Sequence, residues 1–327
     1  MSYRPENCFT ISSEDEFNSY ALATFRYQVE NVLVYQQYVQ LLGINPLEIQ
    51  HYSQIPFLPV SFFKSKSIIS EHQTPEITFI SSGTTGMITS QHQVAIVELF
   101  EQSFNRCFEK FYGPASDYCV IGLLPAYLER SGSSLVHMVN QLIKKSNHVN
   151  SGFYLNEYAE LNQLLLALKM KKQKTILFGV TFALLDMAEN FSVDFPDLIV
   201  METGGMKGRR KEIVREELHE VLTKGFGVQK VHSEYGMTEL LSQAYSKGDG
   251  LFECPPWMKI SIREINDPKQ LVKDGITGGV NIIDLANYFS CSFISTQDLG
   301  KIHPNHQFEI VGRFDNADLR GCNLLVQ

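Results

Sequence analysis

Residues 77–86 read ITFISSGTTG, a short apolar run of strand character that gives way at once to two serines, two threonines and two glycines. Gly83 and Gly86 let the backbone turn tightly and approach a ligand. The hydroxyls of Ser81, Ser82, Thr84 and Thr85, with free N–H groups, suit phosphate oxygens. The hexapeptide is equally a surface turn of small residues, and it lacks the GxxxxGK[ST] pattern of P-loop proteins. Both readings stay open until the surrounding chain is considered.

Downstream, YCVIGLLP at 118–125 is almost continuously apolar, as expected of a strand covered on both faces. Helix is predicted at about 133–147 and 158–172, strand at 175–179 and helix at 181–190. Strand at 197–201, helix at 208–223 and strand at 228–232 follow. This alternation predicts a mostly parallel sheet with helices on its faces. The stretch 91–111 reads as an amphipathic helix.

Upstream, Ser13 and Glu16 form a capping-box pattern. Phe17, Tyr20, Ala21, Phe25, Val29 and Val32 then recur at helical spacing, giving one long or two short helices up to Leu42, stopped by Gly43 and Pro46. In IPFLPVSFFKSK the prolines at 56 and 59 favour an extended, packed segment. From Trp257 onward MKISIREI, GVNIIDL, CSFIST and HQFEIVG are short strand-like runs between turns, which predict a largely antiparallel or barrel-like unit. GDG and CPP near residue 250 mark the expected boundary between 1–250 and 251–327.

The chain has 327 residues, 44% apolar and 20% charged, an ordinary globular composition. A net charge of −8 and a pI near 5.6 give no basic field for nucleic acid. KMKKQK at 169–174 is a local basic patch or the solvated end of a helix. No segment approaches the roughly 18 apolar residues of a membrane span, and the N-terminus lacks the basic start and apolar stretch of a secretion signal. Six cysteines without a CxxC pair predict a reduced, cytoplasmic chain. There is no HExxH, and His303 and His306 are not expected to form a structural metal site.

EYGMTE at 234–239 follows the strand expected over VQKVH, so it falls beyond a strand end, where open parallel sheets bind ligands. Tyr235 offers a ring and a hydroxyl, Thr238 a hydroxyl, and Glu239 a carboxylate for a divalent cation that bridges to phosphate. The same residues suit the cap of a following helix. In STQDLG at 295–300, Asp298 follows a strand and precedes a glycine turn, a position from which it can accept both hydroxyls of a ribose. In VGRFDNADLRGC at 311–322, Arg313 suits phosphate or carboxylate bidentately. Either is also read as a surface turn residue.

Taken in order, SSGTTG, YGMTE, TQDLG and GRFDNADLRG resemble the core motifs of the adenylate-forming enzymes, the acyl-CoA synthetase and firefly-luciferase group. The resemblance runs from IPFLPVSFFKS to the C-terminus, and METGGMKGRR at 201–210 is similar to the segment that lines the adenine pocket there. It implies an α/β adenylate-forming large-domain fold with mostly parallel, helix-covered sheets, a β-rich barrel-like C-terminal subdomain, and use of ATP and Mg2+. It further implies that Ser81, Ser82, Gly83, Thr84, Thr85 and Gly86 wrap the ATP phosphates, and that Gly204 and Gly205 border the adenine and acyl pocket. Tyr235, beside Gly236 in the nucleotide site, would stack near adenine; Thr238 would touch phosphate and Glu239 hold magnesium. Asp298 would bind the ribose, while Arg313 and Asp315 match the segment that begins the hinge.

Two departures from the family pattern stand out. Where the glycine loop usually runs on to a lysine, this chain reads MITSQHQ. The chain also stops five residues after Cys322, whereas most members continue into a mobile C-terminal domain with a lysine that assists adenylation. A shorter branch fits that length: the acyl-protein synthetases of the bacterial bioluminescence fatty-acid reductase complex. Their closing segment resembles RGCNLL and its cysteine accepts the acyl group; FLPVSFFKS is similar to that branch too.

The resemblance thus implies Cys322 as nucleophile beside Thr238 and Glu239, a fatty or other carboxylic acid as substrate, and a partner reductase as the next acceptor. A cysteine beside leucines is also read as a small buried hydrophobe. Thiols titrate above neutrality unless perturbed, and His303, His306 and Arg320 are the basic residues nearest Cys322 in sequence. Two alternatives stand: a coenzyme A ligase like the phenylacetate-activating enzymes, with Cys322 merely packed, and a nucleotide-binding scaffold without turnover. Phe178, Val180 and Phe182 line an acyl pocket or fill the core.

Overall fold

The computed structural model describes residues 4–81, 88–124, 132–204 and 213–314. The N-terminal apolar stripe forms two helices, α1 (Glu14–Asn31) and α2 (Leu33–Leu41). They part at Val32, which is buried in an extended conformation (φ −112°, ψ 96°). At the start of α1 the Ser13 hydroxyl accepts from the Glu16 amide (3.2 Å). The Glu16 carboxylate reaches past Ser13 to the Ser12 amide (2.7 Å), so the predicted capping box is only half made.

Behind α2, β1 (Leu58–Pro59) is extended, as its prolines require. The rest of the predicted extended segment instead coils into a 3-10 helix over Val60–Lys64. Three residues per turn put Val60 and Phe63 on one side, and both are buried.

β2 (Ile77–Ile80) and β3 (Gln91–Val94) form an antiparallel pair separate from the main sheet. The helix predicted from residue 91 therefore starts later, as α3 (Val97–Tyr112). His92 and Val94 are buried while Gln91 is exposed, an alternation that belongs to a strand and was hidden by the helical pattern behind it.

The alternating core is then β4 (Cys119–Leu123), α4 (Ser134–Ser146), β5 (Gly152–Tyr154), α5 (Tyr158–Met170) and β6 (Thr175–Gly179). It continues through α6 (Thr181–Asn190), β7 (Leu198–Glu202), α7 (Arg215–Phe226) and β8 (His232–Tyr235). Strands β5-β4-β6-β7-β8 pair in parallel in that spatial order. Every residue of β4 and β6 is buried, which accounts for their uninterrupted apolar sequence. β5, three residues at the sheet edge, carries too little pattern to be legible.

Beyond β8 come β9 (Ala244–Ser246), β10 (Phe252–Glu253), β11 (Met258–Arg263), β12 (Gly278–Asp284), β13 (Phe293–Ile302) and β14 (Phe308–Arg313). These pair antiparallel, and among the described residues one sheet runs β11-β12-β13-β14-β10-β9-β8-β7-β6-β4-β5, with β1 parallel to β13. STQDLG lies inside β13, not in the turn that its glycine suggested. A register shift falls between Leu299 and Gly300, and a Cβ on Gly300 would sit 2.7 Å from the Glu309 carbonyl oxygen. The glycine serves a close approach of two strands.

Two buried polar side chains join distant parts of the chain. Gln28 of α1 donates to the carbonyls of Asn287 (3.0 Å) and Tyr288 (2.9 Å) and accepts from the Ser292 amide (3.0 Å), fixing the loop between β12 and β13. Asp284, closing β12, accepts from the amides of Leu241 (2.8 Å) and Ser242 (2.9 Å) and from the Ser242 hydroxyl (2.6 Å). The chain just after β8 is thereby held to β12. No described helix is long and apolar enough to cross a membrane.

Candidate functional site

The β2–β3 hairpin closes on Ser81 and Ser90. The Ser90 amide donates to the Ser81 hydroxyl (2.8 Å), and the Ser81 amide to the Ser90 carbonyl (3.0 Å). Ser82, Gly83, Thr84, Thr85 and Gly86 lie outside the described residues. The buried Ser90 side chain also lies beside the carboxylate of Glu239, a residue 149 positions away, and pulls its pKa down. The serine-rich and YGMTE segments, read separately in the sequence, therefore meet.

No helix follows EYGMTE, so the helix-cap reading falls away. Glu234 and Tyr235 are the last residues of β8, and Gly236 to Gln243 form an irregular turn leading to β9. The turn is braced on three sides. His92 Nδ1 lies 2.8 Å from the Thr238 carbonyl oxygen, the Asn287 amide donates to the Glu239 carbonyl (2.9 Å), and Asp284 holds the amides of Leu241 and Ser242. Glu239 is 5% exposed, and burial pushes its carboxyl pKa up, against the Ser90 hydrogen bond that pulls it down. Among the described residues it makes no ion pair. A divalent cation would supply the missing countercharge, so this donor fits the Mg2+ that the family pattern implies.

Asp298 is brought to the same region from β13. Its Oδ2 accepts from the Tyr235 hydroxyl (2.8 Å), and its Oδ1 is 3.0 Å from Arg313 Nε, directly across the β13–β14 ladder. Burial and the neighbouring carboxylate raise the Tyr235 pKa, so it remains a hydrogen-bond donor. The Tyr235 ring packs edge-on against Phe252 (5.9 Å) and Phe308 (5.7 Å). Each Asp298 oxygen keeps a lone pair beyond its present partner, which leaves the carboxylate able to accept from a diol.

At the end of β7, Glu202 accepts from the Thr181 hydroxyl (2.6 Å), and Gly204 is exposed with φ +33°. Gly205 lies outside the described residues. The Glu234 carboxyl is pushed up to about 8, by burial first and by Glu202 second. Gly236 lies close beside it: a Cβ there would stand 2.3 Å from Glu234 Oε1, and the carboxylate would have to swing aside.

Other expected residues fall elsewhere. Phe178, Val180 and Phe182 are all buried, and the Phe178 ring lies 6.5 Å from that of Phe108 in the core. His303 pairs with Glu309 (3.5 Å), and His306 is exposed with φ +63°. Asp315, Arg320 and Cys322 lie outside the described residues. KMKKQK is a helix end in which Lys169 pairs with Asp194 (2.9 Å) and Lys174 approaches Asp117 (3.9 Å). Ser90, His92 and Asn287 were not singled out from sequence. Only the inward positions of QHQV hinted at His92, and nothing local marked Asn287.

A sequence model of the family described as "Acyl-protein synthetase, LuxE" matches residues 2–327. Among solved structures, 2-hydroxyisobutyryl-CoA ligase in complex with 2-HIB-AMP and CoA in the thioesterification state shares the fold at a TM-score of 0.70 and 14% identity. The match covers 95% of this chain and 71% of that one. An open conformation of the same ligase gives 0.65 at 12% identity, over 93% and 70%. ATP-bound MatB from Rhodopseudomonas palustris gives 0.55 at 16% identity, over 72% of this chain and 47% of that one. The chain thus matches about half the length of the MatB structures (47%). At these identities the likeness is one of fold. No curated protein sequence matches the chain.

Proposed function

Since this chain belongs to the acyl-protein synthetase (LuxE) family and has the adenylate-forming α/β fold, we propose that it activates a carboxylic acid with ATP. The observation that carries the reading is the approach of Ser90, at the mouth of the serine-rich hairpin, to the buried Glu239 carboxylate, whose pKa it lowers. It brings the segment suited to phosphate against the one suited to a cation. Asp298, with Tyr235 and Arg313, supplies the acceptor for a ribose.

In the first step a carboxylate oxygen of the acid bonds to the α-phosphorus of ATP. The bond from that phosphorus to the bridging oxygen breaks, and pyrophosphate leaves. Glu239 would hold Mg2+, which offsets charge developing on the phosphates. In the second step a thiolate sulfur attacks the acyl carbon, the carbon–oxygen bond to AMP breaks, and AMP leaves with that electron pair. The thiol proton must go to a base or to water beforehand.

For the acyl-protein reading, the thiol is Cys322, the acid a fatty acid and the onward acceptor a partner reductase. A coenzyme A thiol is the second reading. It is supported by the likeness, over 95% of this chain, to a ligase solved with an acyl-AMP and CoA.

Acid-dependent exchange of labelled pyrophosphate into ATP tests the first step. Exchange with at least one acid in a panel from short aromatic to long aliphatic is expected, and its absence throughout overturns the proposal. Glu239→Gln is expected to lower exchange on the order of 100-fold. Labelled acid should mark the chain covalently and leave Cys322→Ala unmarked, with exchange intact. Acyl-CoA formation by Cys322→Ala at the wild-type rate would decide for coenzyme A.

A further inference from the structure

His92 lies on β3, two residues past Ser90, with no exposed surface (0%). Its ring stands edge-on to Phe63, 5.7 Å away. Nδ1 is 2.8 Å from the Thr238 carbonyl oxygen, and Nε2 is 3.1 Å from Asn287 Oδ1. The Asn287 amide nitrogen donates to the carbonyls of Glu239 and Cys291, both at 2.9 Å. Turned over, that amide would set its oxygen against two carbonyl oxygens, so Oδ1 must face the imidazole.

Both ring nitrogens therefore face acceptors. Burial keeps the ring neutral, its pKa pushed down to about 4 against the pull of the two hydrogen-bond partners. A neutral ring has one N–H, and the shorter contact takes it, so Nδ1 donates to Thr238.

A histidine that only filled this space would leave a ring nitrogen desolvated for no return, and an apolar side chain would serve better. What the imidazole adds is a link between elements that share no strand pairing. The β2–β3 pair stands apart from the main sheet. Among the described residues, two side chains reach from β3 and its approach to the turn after β8: Ser90, which lies beside the Glu239 carboxylate, and His92, which is in hydrogen-bond contact with the Thr238 backbone.

We infer that His92 is a positioning residue for acid activation, a clasp that holds the hairpin neck and the Thr238–Glu239 turn in fixed register. The inference rests on the acid-activating reading above. The Ser90 link depends on a carboxylate that a cation would claim, whereas the His92 link ends on a backbone carbonyl and persists when that carboxylate is engaged.

Three variants of the full chain test this. His92→Phe keeps the ring and its edge against Phe63 but has no N–H. His92→Asn keeps an amide nitrogen near the Nδ1 position, and His92→Gln moves it toward the Nε2 position. Exchange kinetics, MgATP affinity by calorimetry and thermal melting are measured on each. In His92→Phe the kcat for exchange should fall about 10- to 100-fold with the KM for the acid unchanged, as expected of a displaced charge-stabilising group. His92→Asn should recover most of the rate even where it melts at a lower temperature, and His92→Gln should not.

A folded His92→Phe with kcat within about twofold of wild type overturns the inference, as does equal impairment of the Asn and Gln variants. If His92→Phe does not fold, the Asn–Gln comparison decides. Wild-type chain that binds MgATP without exchange would sink the acid-activating reading alone, and the order of MgATP affinities across the variants then decides for the clasp. Chain that neither binds nor exchanges overturns both.

Discussion

Glu234 and Glu239, five positions apart, both carry carboxyl groups raised by burial, yet they answer to different neighbours. Glu239 has the Ser90 hydroxyl, while Glu234 has the repulsion of Glu202. Glu234 titrates near 8 in the folded chain against an ordinary 4.5. Between those values the folded chain holds a proton that the unfolded chain releases, so stability falls as pH rises through that window. Glu234→Gln should therefore leave the melting temperature nearly unchanged near pH 5 and raise it relative to wild type near pH 9, as thermal melts across pH would show. At this scale the sequence was legible where a motif carries its own chemistry. Tyr235, Glu239 and Asp298 were named from their settings. The pairing of Asp298 with Tyr235 and Arg313, and the placing of Ser90 and His92, depend on strands that meet only in three dimensions.

Among elements, α6 and α7 show how closely helices are set on the parallel sheet. A Cβ on Gly225 of α7 would stand 2.5 Å from Ala188 Cβ and 2.7 Å from the Ala188 Cα and carbonyl oxygen. Alanine is the better helix former by about 1 kcal/mol, but the obstacle is backbone, which cannot swing aside. Overpacking of this kind costs about 1–3 kcal/mol, so Gly225→Ala should be net destabilising in urea unfolding. Substitution at an open glycine such as Gly152, with nothing within 4 Å, should not show that steric loss. Helices α4 to α6 of the alternating core were legible from their period and β4, β6 and β7 from their apolar runs. By contrast α7, expected over 208–223, lies at Arg215–Phe226, and β8, expected over 228–232, lies at His232–Tyr235. β3 was not legible: its four residues run into the amphipathic pattern of α3, and its pairing with β2 spans the hexapeptide. Asp298, expected between a strand end and a glycine turn, lies within β13, because glycine marks both turns and close strand contacts.

For the molecule as a whole, α/β alternation and the change to antiparallel strands were legible, but the joining of both into one continuous sheet was not. Continuity depends on β9 and β10, of three and two residues, too short to carry a pattern. The clamp by Gln28 is equally invisible in sequence, since its partners lie about 260 positions away. Gln28→Leu would leave the Ser292 amide and the Tyr288 carbonyl without their Gln28 partner, while the Asn287 carbonyl keeps the Ser292 hydroxyl. A loss of about 2–4 kcal/mol in denaturant unfolding is expected, because unmet buried polar groups cost far more than a hydrogen bond returns. Because the clamped loop carries Asn287, exchange activity should fall in the same variant.

The Gln28 clamp also bears on the order in which a ribosome makes the chain. Its donor is among the first thirty residues and its acceptors, Asn287 and Tyr288, lie within the last 41. At about 5–20 residues per second, α1 waits roughly 13 to 50 seconds for the 264 positions that separate Gln28 from Ser292. The β1 segment waits likewise for β13. The parallel core can assemble during synthesis, and α1 can pack on α2 through Phe25 and Tyr35, but the contact of Phe25 with Phe293 must wait until β13 emerges. The seam between the N-terminal segment and β13 therefore closes only after nearly the whole chain has been made.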